Sequence, residues 1–426
     1  MVQALRTFGR ILVRHWPALA AWYLGGEALH QVLVQLAGFV GGHTTLGGLL
    51  LLPLAVAARL VSYVAMYLTV WPSLRHSAHD AGPADSESRL RRFGQAILTA
   101  ILPFFAFSAA WGLIDADLIE FYRVASSIAL WDAGYDLDQL GDRGGLVAIG
   151  VLPIAVLVIA LAARLVVARL AGQLPSWTLV VAAYTEVLWT FMLFTLVGQW
   201  WADTKEWLAE RAVAVLLEGI GDWFAANMVS IAALWEGVLW LVGMLVAAVF
   251  LPAAWLTIAG VTYGTAFDET PPVLRRIAGA PNSTASRLVT IITRRFEELW
   301  AAVALIWRGG PVVFGCLTLA YAVWAWAAQF SARALLGVFG GQDTSFWVAF
   351  LPLLLIAVGV VAEPLRVAIV ATAFDAVIGR PEAELATRES ELDGEPGDLA
   401  VAGDLEQESS IGVVRQQEHG EDGVGA

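Results

Sequence analysis

Between Leu46 and Trp71 the chain runs for twenty-six residues with a single charged side chain, Arg59, and from Val229 to Tyr263 with only Glu236. A helix needs about twenty apolar residues to cross a bilayer, and in lipid its backbone must satisfy its own hydrogen bonds. Such runs therefore constrain the chain to membrane-embedded helices. Composition agrees: 58% of the 426 residues are hydrophobic and 15% charged, against roughly 45–50% and 25% in soluble domains. The expected fold class is an all-α polytopic integral membrane protein.

Eight spans are predicted, near 16–40, 46–71, 94–114, 145–171, 176–201, 229–263, 299–330 and 345–378. Arg6, Arg10 and Arg14 precede the first. That run is longer than a signal-peptide core and contains Glu27 and His30, so it reads as a retained helix. The connections alternate in character. Segment 73–93 carries Arg75, Arg89, Arg91 and Arg92, and 264–298 carries Arg275, Arg276, Arg287, Arg294 and Arg295. By contrast, 115–143 and 202–228 are acidic. Because basic loops stay in the cytoplasm, both termini are expected inside. Many of the 19 tryptophans, such as Trp71, Trp111, Trp200, Trp201 and Trp347, fall at predicted helix ends, where an indole suits the headgroup region. Trp240 and Trp324 fall mid-span and are read as packing residues. Asp117–Leu140 and Trp207–Phe224 read as amphipathic segments lying on the outer surface.

Four Leu-Pro pairs recur nearly 100 residues apart: Leu52-Pro53, Leu152-Pro153, Leu251-Pro252 and Leu351-Pro352. Fixed-period similarity suggests four repeated hairpins, 1–75, 89–172, 176–268 and 294–380. Two echoes support the period. Arg-x-Phe opens three hairpins (Phe8, Phe93, Phe296), and Thr265-Ala266-Phe267-Asp268 returns as Thr372-Ala373-Phe374-Asp375. Leu102-Pro103 and Leu174-Pro175 lie off the series. Proline inside a helix frees a carbonyl one turn earlier, so Pro53, Pro153, Pro252 and Pro352 are expected helix kinks, read either as four similarly bent helices around an outward-facing vestibule or as a hinge or binding crevice.

The net charge of −13 is mostly a property of residues 381–426, which hold 13 acids and two arginines. With no apolar periodicity this segment reads as a disordered acidic cytoplasmic tail. The single cysteine, Cys316, forms no intrachain disulfide and reads as a small core thiol. Lys205 is the only lysine beside 24 arginines, a composition suggesting a bacterial, high-GC source and hence the bacterial cytoplasmic membrane.

Ionisable groups within spans cost about 2.5–3.5 kcal/mol each on insertion scales and so mark places of interest. Glu27, His30, Gln31 and Gln35 form one polar stripe along helix 1. Arg59 lacks a local partner, with Glu27 or Glu186 the natural choices. Glu236, Glu363 and Arg366 complete an intramembrane polar set. These groups either fix helix register by buried pairing or line a path for a solute or proton. His76, His79 and Asp80 have metal-like spacing but no fourth ligand. Asp136-x-Asp138 begins like a calcium loop, yet Val147 stands where a bidentate glutamate is needed. No metal or cofactor site and no catalytic constellation is therefore expected. Asn282-Ser283-Thr284 is a glycosylation triplet on the expected cytoplasmic side.

The leading expectation is a transporter or permease-type component moving a small solute or lipid along the polar path. The alternative is a non-catalytic membrane scaffold whose acidic tail and Arg-rich loops dock cytoplasmic proteins or anionic lipids. A membrane-embedded lipid enzyme ranks third. The lipid bilayer is the one expected partner in every case, and nothing points to nucleic acid.

Overall fold

A computed structural model describes residues 2–75, 86–136, 151–170, 178–211, 228–263 and 310–393, with 219, 223 and 226. Helices through Val377 belong to one compact unit, and residues from Ile378 to a second. Among the described residues the helices are α1 (Val2–His43), α2 (Thr45–Val70), α3 (Ser86–Ala110), α4 (Leu113–Asp132), α5 (Val151–Leu170), α6 (Thr178–Ala209), α7 (Val229–Tyr263), α8 (Gly310–Phe339) and α9 (Thr344–Asp393). A short 3-10 turn, Trp71–Ser73, follows α2.

Among the described residues six helical segments are long and apolar enough to cross a membrane: Thr45–Ser73, Arg92–Ala110, Val180–Ala209, Ala233–Tyr263, Val312–Phe339 and Thr344–Gly379. The chain is thus a helical, multi-pass, membrane-embedded protein. The predicted spans 16–40 and 145–171 correspond to α1, whose polar stripe lowers its hydropathy, and to α5, whose apolar stretch covers only Pro153–Val167.

α1 and α2 form an antiparallel hairpin turned by the single residue Thr44. Its pairing runs from His15, whose Nε2 lies 2.7 Å from Ser73 Oγ, to Ser62, whose hydroxyl donates to the Trp22 carbonyl at 2.7 Å. Gly26 makes the approach possible, because a Cβ there would stand 2.2 Å from the Ser62 Cβ. α3 packs against α2, α6 and α7, and α5 pairs with α6.

The segment read as an outer surface helix from Asp117 packs instead against the first hairpin. Gly112, at φ +67°, turns the chain sharply after α3, a conformation that glycine adopts without steric cost. α4 then buries Ile114, Asp117, Phe121, Ala125 and Ala129. Their steps of three and four residues make one face. That face meets the glycine-rich end of α1, where Gly38 lies against Val124, Gly41 against Phe121 and Gly42 against Ile128. Sequence reading missed this because the segment's carboxylates mimic a solvated face.

Other differences are local. α6 continues through Ala209, so the proposed surface segment begins as its extension, with Arg211 stacked 3.6 Å from the Trp207 ring centroid. α9 continues through Asp393, correcting the expected disorder at 381–393; Glu, Ala and Leu dominate that stretch and favour helix without an apolar stripe. Cys316 is exposed on α8 rather than a core thiol. Trp71 is buried against Tyr263, with Arg92 5.1 Å from its ring centroid. Asp343 precedes α9 and accepts from the Phe346 amide at 3.3 Å and the Ser345 hydroxyl at 2.5 Å. The Ser345 and Phe346 bonds hold its carboxyl below the ordinary aspartate range.

Candidate functional site

Six helices, α1 to α4 with α7 and α9, and the middle of α8 converge on an open cavity of about 640 Å³. One part of its wall is ionic and the rest is aromatic and aliphatic. The ionic part grows from the first hairpin. Arg59, facing α1 across the close Gly26–Ser62 contact, donates from Nε to Glu27 Oε2 at 3.4 Å. From its other end, Nη1 reaches Asp117 Oδ1 at 3.4 Å and Oδ2 at 3.5 Å. Gln31 donates to Glu27 Oε1 at 3.1 Å, one helical turn away. Glu27, Gln31, Arg59 and Asp117 all line the cavity.

His30 stands behind this group and is almost fully buried. Its Nδ1 is 2.8 Å from the Ala55 carbonyl oxygen, and its Nε2 is 3.2 Å from Asp117 Oδ1. Asp117 therefore joins three elements: its own α4, Arg59 on α2 and His30 on α1.

A second ionic group enters from α9. Arg366 pairs with Glu363 one turn earlier, and the Tyr63 hydroxyl donates to Glu363 Oε2 at 3.2 Å. The Arg366 guanidinium lies 3.6 Å from the Trp255 ring centroid, 4.9 Å from Tyr63 and 5.5 Å from Trp324. A guanidinium on aromatic faces is attracted by their quadrupoles, and more strongly when desolvated. Trp255 is held in turn by edge contacts to Tyr63 and Phe107, both with centroids 4.9 Å apart. Trp324 donates to the Ala362 carbonyl at 2.6 Å.

The polar residues singled out from sequence thus divide. Glu27, Gln31, Arg59, Glu363 and Arg366 line one cavity, and His30 contacts its rim through Asp117. Gln35 does not line it; its amide donates to Glu120 at 2.9 Å, a residue also bound by Arg123. Glu186 is buried and pairs with Arg164 on α5, so Arg59 is served by Glu27 and not by Glu186. Glu236 is exposed on α7. Of the prolines, Pro352 lines the cavity beside Leu251 and Leu351, so two of the recurring Leu-Pro pairs contribute to it. Pro53 and Pro252 lie inside helices, as do the off-series Pro103 and also Pro17; Pro153 is the third residue of α5.

Asp117, Tyr23, Tyr63, Trp255 and Trp324 were not assigned to a site from sequence. An aspartate in an acidic connection looks solvated, and an indole mid-span looks like packing. Only the unusual mid-span placement of Trp324 marked it at all. Among the described residues no three His, Cys, Asp or Glu side chains gather as metal ligands. The His76–Asp80 group, nearly all of the Asp136–Asp142 run, the Asn282 triplet and Thr265–Asp268 lie outside the described residues. No protein-family model, no curated protein and no solved structure matches the chain.

Proposed function

We propose that the chain is a transport-type protein of the bacterial cytoplasmic membrane that admits a small amphipathic solute or lipid to this cavity. In this reading eight spans, with α1 and α5 added to the six apolar helices, form four hairpins with both termini inside. α1 packs against α2 and α4, and its polar stripe finds partners there, His30 at the Ala55 carbonyl and Gln35 at Glu120, which supports counting α1 as a span. In the alternative scaffold reading the acidic tail docks a cytoplasmic protein.

One observation carries the proposal: charges on apolar helices open onto an accessible space of ligand size. Pockets of roughly 300–1,000 Å³ suit drug-sized molecules, and apolar walls with a few placed polar groups are their usual lining. Arg59 retains 22% exposure of its side chain, and its bonds at 3.4–3.5 Å exceed the roughly 2.7–2.9 Å of a tight charge-assisted pair. A pair built only to lock helix register has no need of a cavity in front of it.

The test is flux. Full-length protein in liposomes, under imposed pH and electrical gradients, is assayed with labelled amino acids, sugars and organic cations and with a fluorescent phospholipid. Movement of at least one of these, lost in Ala325→Trp where a bulky ring fills the cavity wall, supports the reading. No movement of any of them overturns it and leaves the scaffold reading in its place.

A further inference from the structure

One hydrogen bond and one close carboxylate contact of His30 together call for a proton that the formal charges do not include. The Ala55 carbonyl can only accept, so Nδ1 of His30, 2.8 Å away, must carry hydrogen. In a neutral imidazole, Nε2 then bears a lone pair, and it faces Asp117 Oδ1 at 3.2 Å. Two lone pairs at that distance repel. Turning the ring over removes nothing, because C–H groups would then face both acceptors. One proton between Nε2 and Oδ1 resolves the conflict, whether it sits on the imidazole or on the carboxyl. Side-chain exposures of 2% and 7% leave little water to substitute for it.

That proton also balances the cavity. Among the described lining residues Glu27, Asp117 and Glu363 oppose Arg59 and Arg366, a deficit of one positive charge that the proton on the His30–Asp117 pair makes good. When the proton leaves, Asp117 presents its whole charge to Arg59, which it already meets with both oxygens. Arg59 is drawn from Glu27, and Glu27 is left facing the cavity with only the Gln31 amide upon it. The lining is then one unit negative, with aromatic faces beside it.

Resting on the reading of the cavity as a solute site, we propose that it is a proton–cation exchange site. The His30–Asp117 pair holds one proton, and a monovalent lipophilic cation binds at Glu27 when that proton has left for water. Charge is conserved: one proton departs as one cation enters, and no bond beyond the N–H or O–H is broken. Among the described residues the other ionisable groups facing the pair are Glu27 on α1 and Arg59 on α2. Across the cavity stand Glu363 and Arg366 on α9 and the hydroxyls of Tyr23 and Tyr63. Arginine keeps its charge throughout, so the pair and the glutamates are the groups free to exchange a proton.

Tetraphenylphosphonium, whose charge is independent of pH, is the probe. Its binding to the full-length, detergent-solubilised protein is followed calorimetrically in buffers of different ionisation enthalpy. About one proton is released per cation bound, and in the range where the pair is protonated affinity falls about tenfold per unit drop in pH, as mass action requires. Asp117→Asn and, separately, His30→Gln abolish the release and flatten the pH dependence; Glu27→Gln abolishes binding. The wild-type proton count decides even if a variant does not fold. Binding without proton release overturns the exchange while leaving the cavity a solute site. Absence of binding at every pH overturns it too, and the transport reading is then judged by the flux panel alone.

Discussion

The guanidinium of Arg366 rests 3.6 Å from the ring centroid of Trp255, more than a hundred residues earlier in the chain. α7 and α9 are thereby joined by a cation on an aromatic face, at the wall where Leu251 and Leu351 also meet the cavity. A buried charge here is tolerable because Glu363 neutralises it and three rings surround it. The contact makes Trp255 both a packing residue and the seat of an ion.

Trp255→Ala is therefore expected to cost about 3–5 kcal/mol, the range for deleting a large buried aromatic side chain. Trp255→Phe keeps a face for the guanidinium and costs less. Thermal unfolding of the two variants in one detergent measures the difference; equal losses would show that the aromatic face contributes nothing of its own.

Arg59→Ala leaves two carboxylates, Glu27 and Asp117, without their shared cation. Removing one partner of a buried pair typically costs about 3–5 kcal/mol, and partial exposure of Arg59 puts the expected loss at the lower end. Glu27→Gln leaves Arg59 still bound to Asp117 and costs less. A double-mutant cycle between positions 27 and 59 is expected to yield a coupling energy above about 0.5 kcal/mol. Strict additivity would contradict the pairing.

Gly26→Leu forces a side chain onto Ser62, where even a Cβ would stand 2.2 Å from the Ser62 Cβ. Overpacking of this kind costs about 1–3 kcal/mol or more. Gly9, whose Cβ would meet nothing within 4 Å, is the control on the same helix. Gly9→Ala is expected to be neutral or stabilising by about 0.5–1 kcal/mol. The melting temperatures of both variants check the contrast.

Asp343 supplies a pH dependence at the start of α9. Its carboxyl is held below the ordinary aspartate range by the Ser345 hydroxyl and the Phe346 amide. A carboxyl whose folded value lies below its unfolded value, about 3.9, contributes fully above that value. The contribution is lost as pH falls through the lower folded one. Hydrogen exchange of the first turn of α9 is expected to quicken in that acid range in the wild type. Asp343→Ala should show the faster exchange already at neutral pH, with no further acid step from this group.

Much of this was legible in the residues themselves. The apolar runs, interrupted by single charges, determined that the chain is a helical membrane protein, since no other structure satisfies so long an apolar backbone in lipid. The i, i+4 spacing of Glu27 and Gln31 put them on one face, and Arg59 announced by its isolation that it needed a partner. Sequence spacing could not say which stripe members share a site: Gln35 turns to Glu120, and Glu186 turns to Arg164.

Those assignments are made by contacts between elements far apart in the chain. Asp117 reaches Arg59 and His30 because Gly112 turns α4 back and the glycines of α1 let it approach. Trp255 reaches Arg366 because α7 and α9 border the same space. Helical periodicity is a local property and was read directly. The pairing of charges depends on how helices cross, which only the folded chain decides.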